Sequence, residues 1–276
     1  MISIVIPANN EERLLPGCLL AVLASDDPGG AIEVIVVANG CTDATATVAR
    51  ALADDFAARG WALRVIERTT GGKMAALNAA DKAAKYPARA YLDADVLLDP
   101  PLLQQLCQTL DTSLPVYSSG HVKIAAPDNR FSRAYAAFYR QVPYFTHGVP
   151  GCGLFAVNAA GRQRWGDFPD IIADDIFVRL QFAPTERILL KAGYDWPIVE
   201  GFQNLVRVRR RQNAGVAQVA LRYPELARND DKAPMTFWRL FTLILRHPVG
   251  FVAYAAVALA VKLGNKNGTN TWVRGR

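Results

Sequence analysis

Ala90-Tyr91-Leu92-Asp93-Ala94-Asp95 reads as a short apolar strand whose C-terminal end carries two carboxylates one residue apart. Side chains alternate faces along a strand, so this spacing predicts Asp93 and Asp95 on one side and Ala94 on the other. Two like charges this close call for a counter-charge, and a hard cation such as Mg²⁺ or Mn²⁺ supplies one. Such cations are commonly held by one or two carboxylates while phosphate oxygens fill the remaining positions. The stretch therefore points to a metal–diphosphate site at a strand end. The same tripeptide also suits a solvated turn before a helix start at Asp99-Pro100, and its surroundings decide between the two.

Working back from residue 90, strand and helix patterns alternate. Residues 2–6 form a continuous apolar run ended by Pro7, and residues 33–38 (Glu-Val-Ile-Val-Val-Ala) form a second. Such runs predict strands buried on both faces. Residues 62–67 give a third strand and 88–93 a fourth. Helical spacing appears over 14–25 (Leu15, Leu19, Val22, Leu23), from a cap at Thr42-Asp43 to about Arg59, and over 73–85 behind Gly71-Gly72. Strands separated by helices predict right-handed crossovers, a mostly parallel sheet, and a ligand site beyond the carboxyl ends of the strands. The polar clusters 9–12, 39–43, 71–73 and 93–95 all fall at those ends, the pattern of a nucleotide cleft. Beyond 125, residues 116–124 read as a strand that includes His121, 130–142 as an aromatic helix and 154–157 as a short strand. Asp174-Asp175 precedes an amphipathic helix over 176–181. The expected organisation is one compact α/β catalytic domain over 1–230. A basic, apolar helical segment follows over 231–276.

The 276 residues carry a net charge of +6, unevenly spread. Residues 201–276 hold 13 Lys and Arg against 3 Asp and Glu, whereas residues 1–200 hold 18 against 22. A basic tail on a mildly acidic body predicts an anionic partner there: diphosphate, anionic lipid or nucleic acid. No nucleic-acid recognition motif accompanies the tail, which argues against the last. Cys18, Cys41, Cys107 and Cys152 are scattered, with no CxxC pair and no metal-ligand spacing to the three histidines, as expected of a reducing cytosol. The uncharged run 249–261 is too short to span a bilayer, and extending it to 236 takes in Arg239 and Arg246. A helix lying on the membrane surface, a buried core helix and a span are the three readings; snorkelling Arg and Lys favour the first.

The motifs, taken in order, resemble those of the family 2 glycosyltransferases. Val5-Ile6-Pro7-Ala8-Asn9-Asn10-Glu11-Glu12 is similar to that family's V-I-P-A-Y-N-E-E. Val36-Val37-Ala38-Asn39-Gly40-Cys41-Thr42-Asp43 is similar to V-V-D-D-G-S-T-D, and Gly72-Lys73-Met74-Ala75-Ala76-Leu77-Asn78 to G-K-x-x-A-L-N. Asp93-Ala94-Asp95 matches D-x-D. Gly151-Cys152-Gly153 followed by Asp174-Asp175 resembles the glycine-rich acceptor loop and the later acidic pair. The likeness covers about residues 1–183 and implies a GT-A fold, with a nucleotide-sugar-binding half over 1–125 and an acceptor-binding half over 126–230.

The resemblance also implies roles. Pro7, Ala8, Asn9 and Glu11 would frame the base and ribose of a nucleotide-sugar donor, UDP-linked by first expectation. Asn39 stands where the family usually has an Asp that accepts a base N–H; an amide oxygen can still accept. Lys73, at a helix start, would reach a phosphate or the base. Asp93 would meet the ribose or a metal-bound water, and Asp95 would ligate Mn²⁺ or Mg²⁺ directly, with Ala94 between them against the donor. Asp175 is the candidate general base and Asp174 would orient it or the acceptor; the pair equally suits a helix N-cap. Gly151, Cys152 and Gly153 would border the acceptor, a glycan or lipid-linked glycan. Arg207, Arg209, Arg210 and Arg211 replace the Q-x-x-R-W of the processive members, so one sugar per encounter is expected. Arg209 and Arg211 would clamp the diphosphate, or the cluster would attract anionic lipid. His147, beside Gly148, is a weak metal candidate and more simply a loop residue. The expected protein is an inverting enzyme on the inner face of the cell membrane. A silent glycan- or lipid-binding scaffold and a sugar nucleotidyltransferase are the alternatives, the latter disfavoured by Pro-Ala-Asn-Asn-Glu-Glu after the first strand. A dinucleotide oxidoreductase lacks its GxGxxG there.

Overall fold

The computed structural model describes residues 1–264; the end of the predicted tail segment, 265–276, lies outside them. Four parallel strands form the first half of one sheet: β1 (Ile2–Ala8), β2 (Ile32–Asn39), β3 (Ala62–Arg68) and β4 (Ala88–Leu92). Every residue of β1, β2 and β4 is buried, Ser3, Glu33, Asn39 and Arg89 included, as mostly apolar runs require when helices cover both faces. Helix α1 (Leu15–Leu23) turns Leu15, Cys18, Leu19 and Val22 into the core on one side. The helix predicted up to residue 59 is two pieces, α2 (Thr45–Arg50) and α3 (Ala53–Ala58). A tight bond from Leu52 N to Ala49 O at 3.2 Å ends the first. The break lets Phe56 enter the core, where its ring meets Trp61 at 6.5 Å. Helix α4 (Lys73–Ala83) covers the other sheet face with Met74, Leu77 and Ala80.

The second half is mixed. After β5 (Leu97–Leu98) and α5 (Leu102–Leu110) come β6 (Tyr117–Ile124), α6 (Arg130–Tyr139), α7 (Pro143–Thr146), β7 (Leu154–Val157), α8 (Ala159–Arg162) and α9 (Asp174–Arg179). Strand β8 (Arg187–Trp196) closes the eight-stranded order β3-β2-β1-β4-β7-β6-β8-β5. β7 runs antiparallel to both β4 and β6, while β8 is parallel to β6. The sheet is thus parallel as far as β4 and mixed beyond it. His121 lies in β6 as the sequence predicts.

Sequence patterning did not reveal β8 because its burial inverts the usual polarity. Arg187 is buried, donating to the carbonyls of Arg179 and Phe182 and pairing with Asp231 at 2.8 Å, whereas Ile188 and Leu189 are exposed. The following helix, α10 (Phe202–Arg222), buries only Leu205, Val206, Gly215 and Val219 of its 21 residues. Its Arg209, Arg210 and Arg211 follow one another on the helix and so point in different directions, about 100° apart.

The chain then forms α11 (Phe237–Arg246), capped by Thr236 Oγ1 accepting from Arg239 N, and α12 (Pro248–Leu263). Pro248 suits the first turn of a helix, where its missing N–H costs nothing. The two are bent by 118° at His247, and no single helix among the described residues is long and apolar enough to cross a membrane. α12 packs on α6 and α10, enclosing a third core around Tyr135, Phe138, Leu205, Leu243, Ala253 and Val257.

Candidate functional site

The loops at the carboxyl ends of β1 and β2 are laced together. Asn9 Nδ2 donates to the carbonyls of Asn39 at 2.6 Å and Gly40 at 3.1 Å. Thr42 N donates to Asn10 Oδ1 at 2.6 Å, Glu11 N to Thr45 Oγ1 at 2.7 Å, and Ala44 N to Glu12 Oε2 at 3.0 Å. The loop before α4 presses against them: Gly40 has φ +62°, and a Cβ there would lie 2.7 Å from Gly71 N. Only glycine meets both demands.

Beyond β4 the chain does not continue as a strand. Leu92 is its last residue, and Asp93 to Val96 make a turn closed by Val96 N donating to Asp93 O at 3.2 Å. The alternation that placed Asp93 and Asp95 on one face therefore does not apply. Both reach the same cleft for another reason: the turn folds back over the end of the sheet, anchored by Asp93 N donating to Gly153 O at 2.8 Å. Gly153 has φ +78°, and a Cβ would meet Trp196 and Val96 within 2.8 Å.

Two adjoining clefts open above this edge. The smaller, about 720 Å³, is lined by Pro7, Asn9, Glu11, Asp43, Asp93, Ala94 and Asp95. The larger, about 780 Å³, is lined by Gly151, Cys152, Gly153, Asp174 and Asp175. Lys73, Asp93, Tyr139, Trp196, Arg209 and Arg211 border both. Asp95 and Asp175 thus stand in neighbouring hollows joined across a shared polar wall.

Lys73, the first residue of α4, fastens the two acidic groups together. Its Nζ lies 3.0 Å from Asp93 Oδ1 and 3.1 Å from Asp174 Oδ2. Burial alone would pull its ammonium down, but Asp174 and then Asp93 outweigh that and hold it well above its ordinary value. Burial pushes Asp174 up, and Lys73 partly opposes the shift. Asp175 feels burial first and then the charge of Asp174, which together push it up to about 6. Both acids lie in the first turn of α9, whose N-cap is Ala173, so they are first-turn acids rather than the cap itself. A carboxylate tuned near neutrality at a cleft wall can take a proton at physiological pH and give it up again.

Other predicted residues fall differently. Ala8 is fully buried, and Asn39, 1% exposed, borders neither cleft; its amide nitrogen and oxygen have no hydrogen-bond partner among the described residues. Of the arginine cluster, Arg209 and Arg211 face the clefts. Arg207 instead reaches Asn204, and Arg210 caps the carbonyl of Ala260. His147 is an exposed loop residue beside Thr146 Oγ1 (3.0 Å) and the Arg239 guanidinium (3.2 Å), so it acts as a contact between α7 and α11. Sequence reading missed Tyr139, Trp196 and Gln212, which line both clefts, and Met235, Leu240, Phe251 and Tyr254 of the larger. The aromatic spacing of Tyr135 and Tyr139 was a usable signal for a buried helix face; nothing local marks Trp196.

A divalent ion fits the donor chemistry here. Among the described residues no group of three His, Cys, Asp or Glu is placed to hold a metal by itself. Asp93 and Asp95 instead offer a pair of hard oxygen donors at the cleft floor, the kind of set that completes its coordination with phosphate oxygens. Seven acidic residues (Glu11, Glu12, Asp43, Asp93, Asp95, Asp174, Asp175) and five basic ones (Arg13, Lys73, Arg209, Arg211, Lys232) line the two clefts. A diphosphate entering with a divalent cation adds little net charge to that balance.

The model of glycosyl transferase family 2 matches residues 3–165. The chain belongs to that family, and its fold is that of the GT-A glycosyltransferases. It is 25% identical to a mannosyltransferase, PcManGT, from Pyrobaculum calidifontis, whose structure holds GDP-Man and Mn²⁺; the match covers 96% of this chain and 76% of that one, with a TM-score of 0.56. Glucosyl-3-phosphoglycerate synthase from Mycobacterium tuberculosis, in complex with Mn²⁺ and UDP-glucose, shares the fold at 18% identity and a TM-score of 0.55, over 80% of this chain and 78% of that one. The uncharacterized glycosyltransferase EpsJ of Bacillus subtilis is 27% identical over 124 residues, 45% of this chain. That stretch spans about a third (34%) of EpsJ's own length.

Proposed function

We propose that this protein is an inverting, metal-dependent glycosyltransferase that moves one sugar from a nucleoside-diphosphate sugar to a hydroxyl acceptor. UDP is the favoured nucleotide. The observation that carries this reading is the pair of clefts joined at Lys73, Asp93, Arg209 and Arg211, with Asp95 in one and Asp175 in the other. Family membership and the nucleotide sugars held by structural relatives support it.

In this reading the smaller cleft takes the donor. Asn9 and Glu11, on the laced loops, border the nucleoside; Asp93 and Asp95 hold Mn²⁺ or Mg²⁺. When bound, the cation supplies positive charge to the diphosphate leaving group. Lys73, Arg209 and Arg211 line the same wall and stabilise the charge that develops as the sugar–phosphate bond breaks. The acceptor hydroxyl enters from the larger cleft beside Gly151, Cys152 and Gly153. Asp175 takes its proton as the new bond forms, on the side of the sugar away from the diphosphate, so configuration inverts. Asp174, tied to Lys73, keeps α9 and its base in register with the donor carboxylates.

The C-terminal segment, 231–276 in the predicted division, places the enzyme at a membrane in this proposal. Phe237, Trp238, Phe241 and Leu245 of α11 are exposed, as are Val249, Val252, Leu259 and Leu263 of α12. Residues 237–263 hold Arg239, Arg246 and Lys262 and no acidic side chain. Apolar stripes flanked by cations alone suit an anionic membrane surface. The acceptor is then a lipid-linked glycan and the location the inner face of the cell membrane.

Donor turnover tests the reading. Incubation with UDP- and GDP-sugars should release nucleoside diphosphate in the presence of Mn²⁺ and stop when EDTA is added. Absence of release with every donor, alongside absent nucleotide binding, would favour a silent scaffold.

A further inference from the structure

The larger cleft is lined by two unlike sets of groups. Lys73, Asp93 and Asp174 are tied together by ion pairs, with Asp175 next to Asp174 in the chain. The other set comes from the elements that carry the outer apolar stripes: Met235 in the segment before α11, Leu240 on α11, and Phe251 and Tyr254 on α12, with Lys232 lining the same cleft just before Met235. The four apolar side chains are only partly buried, although they border the third core. Phe251 and Tyr254 pack on Phe138 of α6 at 5.6 and 5.0 Å between ring centroids. Arg209 lies over the Tyr139 ring at 5.0 Å and donates to its hydroxyl at 3.0 Å, and both residues line the larger cleft.

A sugar laid against Met235 and Leu240 would lose water from its hydroxyls without gaining partners. The wall matches an aliphatic chain, whose burial is favourable in proportion to the apolar area it removes from water. The wall and the outer face are opposite sides of one helix pair. On α11, Leu240 faces the cleft while Phe241 and Leu245 face outward; on α12, Phe251 and Tyr254 face inward while Val252 and Leu259 face outward. A chain leaving the cleft past these helices passes directly into the apolar zone on which their outer stripes would rest.

We infer that the apolar wall of the larger cleft, formed by Met235, Leu240, Phe251 and Tyr254, binds the hydrocarbon chain of an amphiphilic acceptor whose sugar hydroxyl reaches Asp175. This rests on the glycosyltransferase reading and specifies its acceptor: the chain is held by the protein during transfer rather than left in the bilayer. The charged set and Arg209 exclude the chain from the donor side.

Brominated dodecyl maltoside, used below its critical micelle concentration and without vesicles, supplies a sugar head, a chain and a short-range quencher of tryptophan. Trp196 borders the cleft, whereas Trp238 is exposed on the outer face of α11. Quenching is expected to saturate, to persist in Trp238→Phe and to be lost in Trp196→Phe. Leu240→Glu should weaken the probe about tenfold or more by placing a charge in the wall. Met235→Glu, outside any helix, gives the same test should the first variant fold poorly. Quenching confined to Trp238, quenching that does not saturate, or indifference to both charged variants would overturn the inference. Binding of UDP with Mn²⁺ to the same samples, followed separately, isolates the inference from its foundation. Intact nucleotide binding with no chain binding refutes only the chain site, whereas loss of nucleotide binding in the wild type refutes the enzymatic reading.

Discussion

Asp95→Ala is expected to abolish Mn²⁺-dependent turnover of the donor, a loss of about 100-fold to 1,000-fold or more by the usual worth of a charge-stabilising group at a leaving oxyanion. The argument comes from the poverty of the donor set. Among the described residues no third His, Cys, Asp or Glu is grouped with the pair, so one carboxylate is half of what they offer the ion. Asp93 does not substitute for Asp95, because its Oδ1 is already engaged by Lys73 at 3.0 Å. The effect should appear both as weaker UDP binding in Mn²⁺ and as lost release of nucleoside diphosphate. Unchanged turnover would remove Asp95 from the metal site.

Asp175→Asn should act on a different quantity. Turnover falls by about 100-fold or more, the typical size of a general-base contribution, while donor affinity stays close to that of the wild type. The split is expected because Asp175 lines only the larger cleft, away from the loops that border the nucleoside. Its pH dependence gives a second readout. Burial and Asp174 push Asp175 up to about 6, so the active, ionised form is lost as pH falls through that value. Turnover should be level above it, decline by about tenfold per pH unit below it, and show no such limb in Asp175→Asn. Equal losses of binding and turnover would instead make Asp175 a structural residue of α9.

How far the sequence announced this site depends on the kind of signal each residue carries. β1, β2 and β4 were legible because strands buried on both faces read as mostly apolar runs, and the polar residues that end them mark the cleft edge. Asp93 and Asp95 were located correctly at that edge by an argument that fails in detail, since a turn rather than strand alternation presents them. The burial of Asn39 was not legible: its position in the motif suggests base contact, whereas its side chain is 1% exposed and its backbone carbonyl accepts from Asn9 Nδ2. Lys73 was legible as a helix-start cation, yet its link from Asp93 to Asp174 depends on two chain segments eighty residues apart. Trp196 and the apolar cleft wall were invisible for a related reason. β8 buries an arginine and exposes Ile188 and Leu189, and the wall forms only when α11 and α12 fold back over α6.

The central claim is that carboxylates from this cleft hold a divalent ion together with the diphosphate it accompanies. Electron paramagnetic resonance of free Mn²⁺, titrated with the protein in the presence and absence of UDP, tests it directly. The ion should remain largely free without nucleotide, become bound when UDP is added, and stay free with UDP in Asp95→Ala. Tight Mn²⁺ binding without nucleotide, or UDP binding that is indifferent to removal of the metal, would contradict the account.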